Sequence, residues 1–207
     1  MSFLYLLVLW AKDVVLEGLS GNHNLVVQMG LLYAFVLFIF SEVIFFFRVF
    51  WVFFDASLSP SIELGCVWPP YGMESPNYLG VPLLGTVVLL RSGVVASLSH
   101  SRLLSNVSAS WSLFVCILFS FIFLYLQVYE YYWLPFDIRD GVYGSIFFFS
   151  TGFHGLHVFF GSVFLLICLV RLNLMHFSSF HHVGFTCALL YWHFVDVVWI
   201  GLYLAVY

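Results

Sequence analysis

The hydrophobic pattern divides the chain into long apolar stretches and short polar breaks. Residues 25–54, 81–104, 111–133, 141–170 and 185–207 are almost unbroken runs of Phe, Leu, Val, Ile and Trp. Each reaches the roughly 20 residues that a helix needs to cross the hydrocarbon of a bilayer. Residues 3–10, FLYLLVLW, form a further apolar stretch of about half that length. Backbone groups in lipid are satisfied within helices. The pattern therefore predicts an all-α polytopic membrane bundle of about five transmembrane helices plus a short N-terminal half-helix. No break is long enough for a soluble domain, so residues 1–207 read as one membrane domain.

The breaks differ in character. Segment 55–80 holds four of the six prolines with Asp55, Glu63 and Glu74, and its Pro and Gly residues predict an ordered loop. Segment 134–140, LPFDIRD, sets Asp137 and Asp140 against Arg139, whereas Lys12, Arg102 and Arg171 fall on the opposite side if the spans alternate. By the positive-inside rule, residues 11–24, 104–110 and 171–184 face the matrix or cytoplasm, and the C-terminus faces outward.

Composition sharpens this reading. Only 8% of residues are charged, and the net charge is −4. There is no basic patch to follow a nucleic-acid backbone. Cys66, Cys116, Cys168 and Cys187 are scattered without a CxxC pair, which suggests neither a zinc knuckle nor a disulfide framework. The 26 Phe residues beside a single lysine, Lys12, are the bias expected of an organelle-encoded chain. The N-terminal MSFLYLLVLWAKD lacks the Arg/Ser-rich character of an import leader.

Ionisable side chains inside spans are costly, about 2.5–3.5 kcal/mol each on insertion scales, so each calls for a reason. Glu42, in FIFSEVIFFF, lies near the middle of the first full span. It is either a protonatable group in a proton path or beside a lipid headgroup, or a carboxyl held neutral by burial. Arg48 lies close enough to the outer end to snorkel. Arg91 lies deeper, and helix rise puts it within about 3 Å of the depth of Glu42, which predicts a Glu42–Arg91 ion pair. Gln127 and Glu130 sit in an aromatic belt with Tyr129, Tyr131, Tyr132 and Trp133. His193 and Asp196, in YWHFVDVVW, share a helical face and read as a self-satisfied pair joining helices.

His154 and His157, in STGFHGLHVFFG, raise the question of a metal box. Histidine-box membrane oxygenases need three clusters, approximately HxxxH, HxxHH and HxxHH. Here HGLH has no following histidine, and His176, His181 and His182 give HxxxxHH. Helix rise separates the two groups by about 15–20 Å. The pair is therefore expected in the bundle interior, metal-free, with Gly152, Gly155 and Gly161 admitting a neighbouring helix. No nucleophile sits beside a general base, so the residues argue against chemistry carried by this chain itself.

Several motifs, in order, resemble subunit III of cytochrome c oxidase: SEVIFFF, VPLLGTVVLLRSGV, DGVYGSIFFFSTGFHGLHVFFGSVFLL, MHFSSFHHVGF and YWHFVDVVWIGLYLAVY. The resemblance implies a non-catalytic core subunit of the mitochondrial inner membrane, without haem or copper of its own. It would lie against catalytic subunit I, which holds the haems and copper, and among the other oxidase subunits. It would bind phospholipid and support assembly, proton uptake and stability during electron transfer from cytochrome c to O2. Glu42 matches the family's membrane carboxylate, and His23, Arg171 and His176 match positions near lipid headgroups. Residues 1–24 resemble the inner half of the family's second helix and its link, so a separate chain is expected to supply the missing helices. Met29, Leu32 and Thr186 stand where charged residues are expected, and Arg48 and Arg91 replace small ones. The alternatives are a histidine-box oxygenase or desaturase, and a purely structural remnant subunit.

Overall fold

The computed structural model describes residues 3–60, 62 and 65–207; Glu63, one of the loop acids, lies outside the described residues. Among the described residues all regular structure is helical: α1 (Phe3–Leu19), α2 (Leu25–Leu58), α3 (Val81–Leu104), α4 (Ser110–Trp133), α5 (Gly141–Asn173) and α6 (Val183–Val206). The last five are long and apolar enough to cross a membrane. The all-helical polytopic architecture read from hydropathy is the one observed.

Two features add to the sequence reading. First, α1 does not stop at Trp10 but runs on through Leu19. Residues 11–19, AKDVVLEGL, are polar but contain good helix formers and no proline, so the helix outlasts its apolar face. It ends at Gly21, whose φ of 80° suits glycine, with Asn22 N–H donating to Glu17 O at 3.2 Å. Second, the chain separates into two compact units, Met1–Phe38 and Ile39–Tyr207. The boundary between these units falls inside α2.

In the first unit, Asn24 caps α2 by accepting from Val27 N–H at 2.9 Å. The second unit is built on a closed ring of four helices, in which α3 packs on α4, α4 on α5, α5 on α6 and α6 back on α3. Small side chains let α3 approach α4 and α6: Gly85, Ser92, Gly93, Ala96 and Ser99 on α3 and Ser112, Cys116 and Ser120 on α4 are all buried. Ser92 returns its hydroxyl to Leu89 O at 2.6 Å and Ser120 to Ile117 O at 2.7 Å within their own helices, while Ser99 donates across to Ala109 O at 3.2 Å. Two buried indoles tie α6 to α3: Trp192 donates to Ser92 Oγ at 3.0 Å and Trp199 to Thr86 Oγ1 at 2.9 Å. Phe123 of α4 stands edge-on to the Trp199 ring at 4.8 Å and fills the centre.

Local signals set the helix ends. Proline in the first turn of α3 costs no hydrogen bond there. Leu134, extended before Pro135, stops α4. Non-glycine residues in left-handed conformation close α3 and α5: Asn106 at φ 55° and Met175 at φ 58°. Val107 N–H then reaches Arg102 O at 2.9 Å and His176 N–H reaches Arg171 O at 3.0 Å.

The part of α2 inside the second unit meets the ring differently, through a layer of aromatic side chains. Phe45 lies against Phe153 of α5 at 5.3 Å, and Phe46 against His157 of α5 and Phe194 of α6 at 4.9 and 5.9 Å. Phe50 closes on Gly201 of α6. Beyond this layer Phe53 touches Trp68 of the 59–80 loop, which in turn touches Tyr143.

Candidate functional site

The polar groups of the spans resolve into separate small clusters. Midway along α2 and α5, Glu42 Oε2 lies 3.1 Å from His157 Nε2. His157 is the middle residue of α5, and Glu42 is within one residue of the middle of α2. The other ring nitrogen of His157, Nδ1, is 2.8 Å from Phe153 O. A carbonyl only accepts, so Nδ1 carries a proton. One further proton is then shared between Nε2 and the Glu42 carboxyl. Whichever atom holds it, the pair is neutral as a unit, and this is how a carboxyl and an imidazole together are tolerated at mid-depth.

This arrangement corrects the Glu42–Arg91 ion pair expected from depth alone. Matching depth does not fix direction: α3 packs on α4 and α6, Arg91 is exposed, and among the described residues it forms no ion pair. Arg48 is exposed as well.

The two histidines of HGLH are near neighbours in sequence that face different helices. His154 is fully buried, and its Nε2 donates to Val195 O of α6 at 3.2 Å, while His157 turns to α2. Of the three glycines expected to admit a helix, only Gly161 does so fully. A Cβ there would sit 3.0 Å from the Trp192 ring; at Gly152 it would meet only Tyr131 Oη at 3.8 Å, and at Gly155 nothing within 4 Å.

His193 and Asp196 form a loose pair, Nδ1 to Oδ2 4.0 Å apart. Asp196 Oδ2 also packs against Gly93, where any side chain would collide with it. His193 Nε2 bonds to Ser97 Oγ at 3.1 Å, so the pair joins α6 to α3. Farther along this seam His100 stands edge-on to His182 at 5.4 Å. Sequence reasoning missed Ser97 and His100, although ASLSH places both on one helical face three residues apart.

Towards the C-terminal end of α4, the Glu130 carboxyl is buried and Oε2 accepts from Tyr207 Oη at 3.0 Å. Tyr131 shares a 2.6 Å hydrogen bond with Thr151. The 127–133 belt thus holds a buried polar contact as well as interfacial rings, and the C-terminal tyrosine supplies half of it.

Arg171 ends α5 on the side where α6 begins. Its guanidinium lies over the Phe177 ring at 4.3 Å and beside Gly184. Arg171 Nε and His176 Nδ1 are both buried without a hydrogen-bond partner among the described residues. In the first unit, His23 Nε2 is 4.0 Å from Glu17 and its ring lies against Gly18.

Among the described residues no three or more His, Cys, Asp or Glu side chains gather as a metal site would require. Taken together, the fold and these clusters define a polytopic helical membrane subunit whose intramembrane polar groups pair locally. The family model for cytochrome c oxidase subunit III matches residues 1–207. Cytochrome c oxidase subunit 3 of Aedes aegypti is 52% identical over 201 residues, spanning 96% of this chain and 77% of that one. The Paracentrotus lividus protein of the same name is 50% identical over 204 residues (97% and 78%), and that of Arabidopsis thaliana 47% over 207 (99% and 78%). The chain belongs to the cytochrome c oxidase subunit III family. It is a membrane subunit of the mitochondrial respiratory oxidase, an oxidoreductase complex in which it works with the other oxidase subunits.

Proposed function

We propose that this chain lies against catalytic subunit I in the mitochondrial inner membrane and sustains proton uptake there during turnover, while binding phospholipid at its inner boundary. Haem and copper belong to the partner subunits, as the family resemblance implies. The observation that carries the reading is the Glu42–His157 pair: a carboxyl and an imidazole sharing one proton at mid-depth. Such a pair moves a proton between its two atoms without changing the charge of the membrane interior.

Arg171 and His176 support the lipid part. A guanidinium fixed over Phe177 with Nε unpaired, beside a histidine with Nδ1 unpaired, offers the charge and donors that a phosphate accepts. His23 is a further headgroup candidate in the first unit. With Arg102 and Arg171 in the last turns of α3 and α5, this end faces the matrix, which puts the C-terminus toward the intermembrane space. The separate chain expected to supply further helices is part of the same reading.

Glu42→Gln in the assembled oxidase tests the proposal. The amide keeps a hydrogen bond to His157 but gives up no proton, so activity is expected to start near normal and decay faster with turnover. An unchanged inactivation rate favours a purely structural subunit instead.

A further inference from the structure

The acids deep in the spans of the second unit face other groups of this chain, although Asp196 Oδ1 is buried without a hydrogen-bond partner among the described residues. Glu42 bonds to His157, Asp196 lies between Gly93 and His193, and Glu130 accepts from Tyr207. Arg91 stands apart from all of them. It lies 10 residues from one end of α3 and 13 from the other, about 15 and 20 Å at helical rise. Its neighbours on the same helical face are exposed and apolar: Leu84 at 53%, Val87 at 40%, Val94 at 72% and Leu98 at 45%. The opposite face, with Leu89, Ser92, Gly93 and Ala96, is buried against α4 and α6. Arg91 therefore points away from its own bundle, and among the described residues no acid pairs with it.

A guanidinium keeps its charge in any protein environment and presents five N–H donors. Hydrocarbon offers it no acceptor. A headgroup phosphate lies about half the hydrocarbon thickness away, roughly 15 Å, beyond what one side chain spans by snorkelling. Hydroxyls would satisfy the donors but leave the charge. What satisfies both is a carboxylate at the same depth, accepting in bidentate fashion. An acid of this kind is itself costly in a lone span, so each group makes the other tolerable.

We propose that the outward face of α3 centred on Arg91 is the docking site of a transmembrane helix from another oxidase subunit, which places an Asp or Glu carboxylate against the guanidinium. Val87, Val94 and Leu98 form the apolar ridge on which that helix packs, and the Ser97–His193 hydrogen bond borders it on the α6 side.

The assembled oxidase carrying Arg91→Lys, treated with a membrane-permeant carbodiimide, provides the test. The lysine amine is expected to form an amide with an Asp or Glu inside a transmembrane segment of another subunit, identified by mass spectrometry. Arg91→Leu leaves that acid unpaired, and co-purification of the same subunit should fall about tenfold or more; Arg91→Glu should lower it further, and Arg91→Lys should restore most of it. Three results overturn the proposal: a cross-link to lipid phosphate only, no cross-link in a complex that has assembled, or unchanged subunit composition with Arg91→Leu. A lipid-facing arginine would respond to leucine in the opposite direction, with a gain in stability.

Discussion

The four helices of the ring and α2 are all apolar enough to cross a membrane but are held by different means. In the ring, α3 lays Gly85, Gly93, Ala96 and Ser99 against its neighbours, and indole hydrogen bonds lock α6 to it. Close backbone approach and satisfied buried polar groups define its geometry. The segment of α2 in the second unit stands off at the distance of phenylalanine rings, and many of its large side chains remain exposed, including Phe47 at 64% and Trp51 at 65%. Its Glu42 hydrogen-bonds to His157 of the ring. A closely packed ring resists change, whereas a helix held largely by aromatic side chains and a polar pair can shift slightly at small cost. The polar pair that carries the proposed function sits at the second kind of contact.

The largest effect should come from adding bulk at the tightest point of the ring. Gly93→Leu drives a side chain into the Asp196 carboxyl and pushes α3 from α6. Overpacking of this sort costs about 1–3 kcal/mol or more, and the displaced acid adds to it. Little assembled subunit is expected when the purified oxidase is examined by native electrophoresis. Normal assembly would show that the α3–α6 contact is looser than its geometry states.

His157→Phe comes next. It removes the bond from α5 to α2 while retaining a ring against Phe46, but it leaves the Glu42 carboxyl without that partner at mid-depth, which should cost about 1–3 kcal/mol. The loss should also show in the carboxyl infrared signal of Glu42, which gives up its hydrogen bond to His157. Trp199→Phe follows; it keeps an aromatic ring against Phe123 but leaves Thr86 Oγ1 without the indole proton. Thr86 still returns its hydroxyl to Pro82 O at 2.8 Å, so the loss should stay near the roughly 0.6 kcal/mol average of intramembrane hydrogen bonds. A lowered midpoint for thermal inactivation of the oxidase would register it.

These cases show what the sequence could carry. Hydropathy marked the five spans because lipid demands long apolar helices, and the depths of Glu42, Arg91 and His157 followed from rise per residue. Direction around the helix was harder to read. The spans are apolar on nearly every face, so periodicity does not separate the buried side from the exposed one. This is why depth suggested Arg91 for Glu42 when His157 faced it. It is also why HGLH looked like one cluster, although its histidines serve different helices. The end of α1 was missed for the opposite reason: AKDVVLEGL lost its apolar face but kept its helix-forming residues. The Glu130–Tyr207 bond spans 77 residues, beyond any local pattern.

The smallest effects come from the glycines of STGFHGLHVFFG, and there the sign matters more than the size. Gly→Ala in a helix interior gains up to about 1 kcal/mol from backbone propensity when nothing obstructs the new methyl. Gly155 faces open space, so Gly155→Ala should leave the oxidase as stable as before or slightly more so. At Gly161 the same methyl would press on the Trp192 and Tyr191 rings, 3.0 to 3.2 Å from the added carbon. Those rings are wedged between α5 and α6 and Trp192 is held by its bond to Ser92, so they yield poorly. Gly161→Ala should therefore lower the thermal inactivation midpoint while Gly155→Ala does not. Equal shifts for the two would mean that α5 meets α6 no more closely than α2 meets α5, and the contrast between the ring and its attached helix would fail at the place where it is easiest to measure.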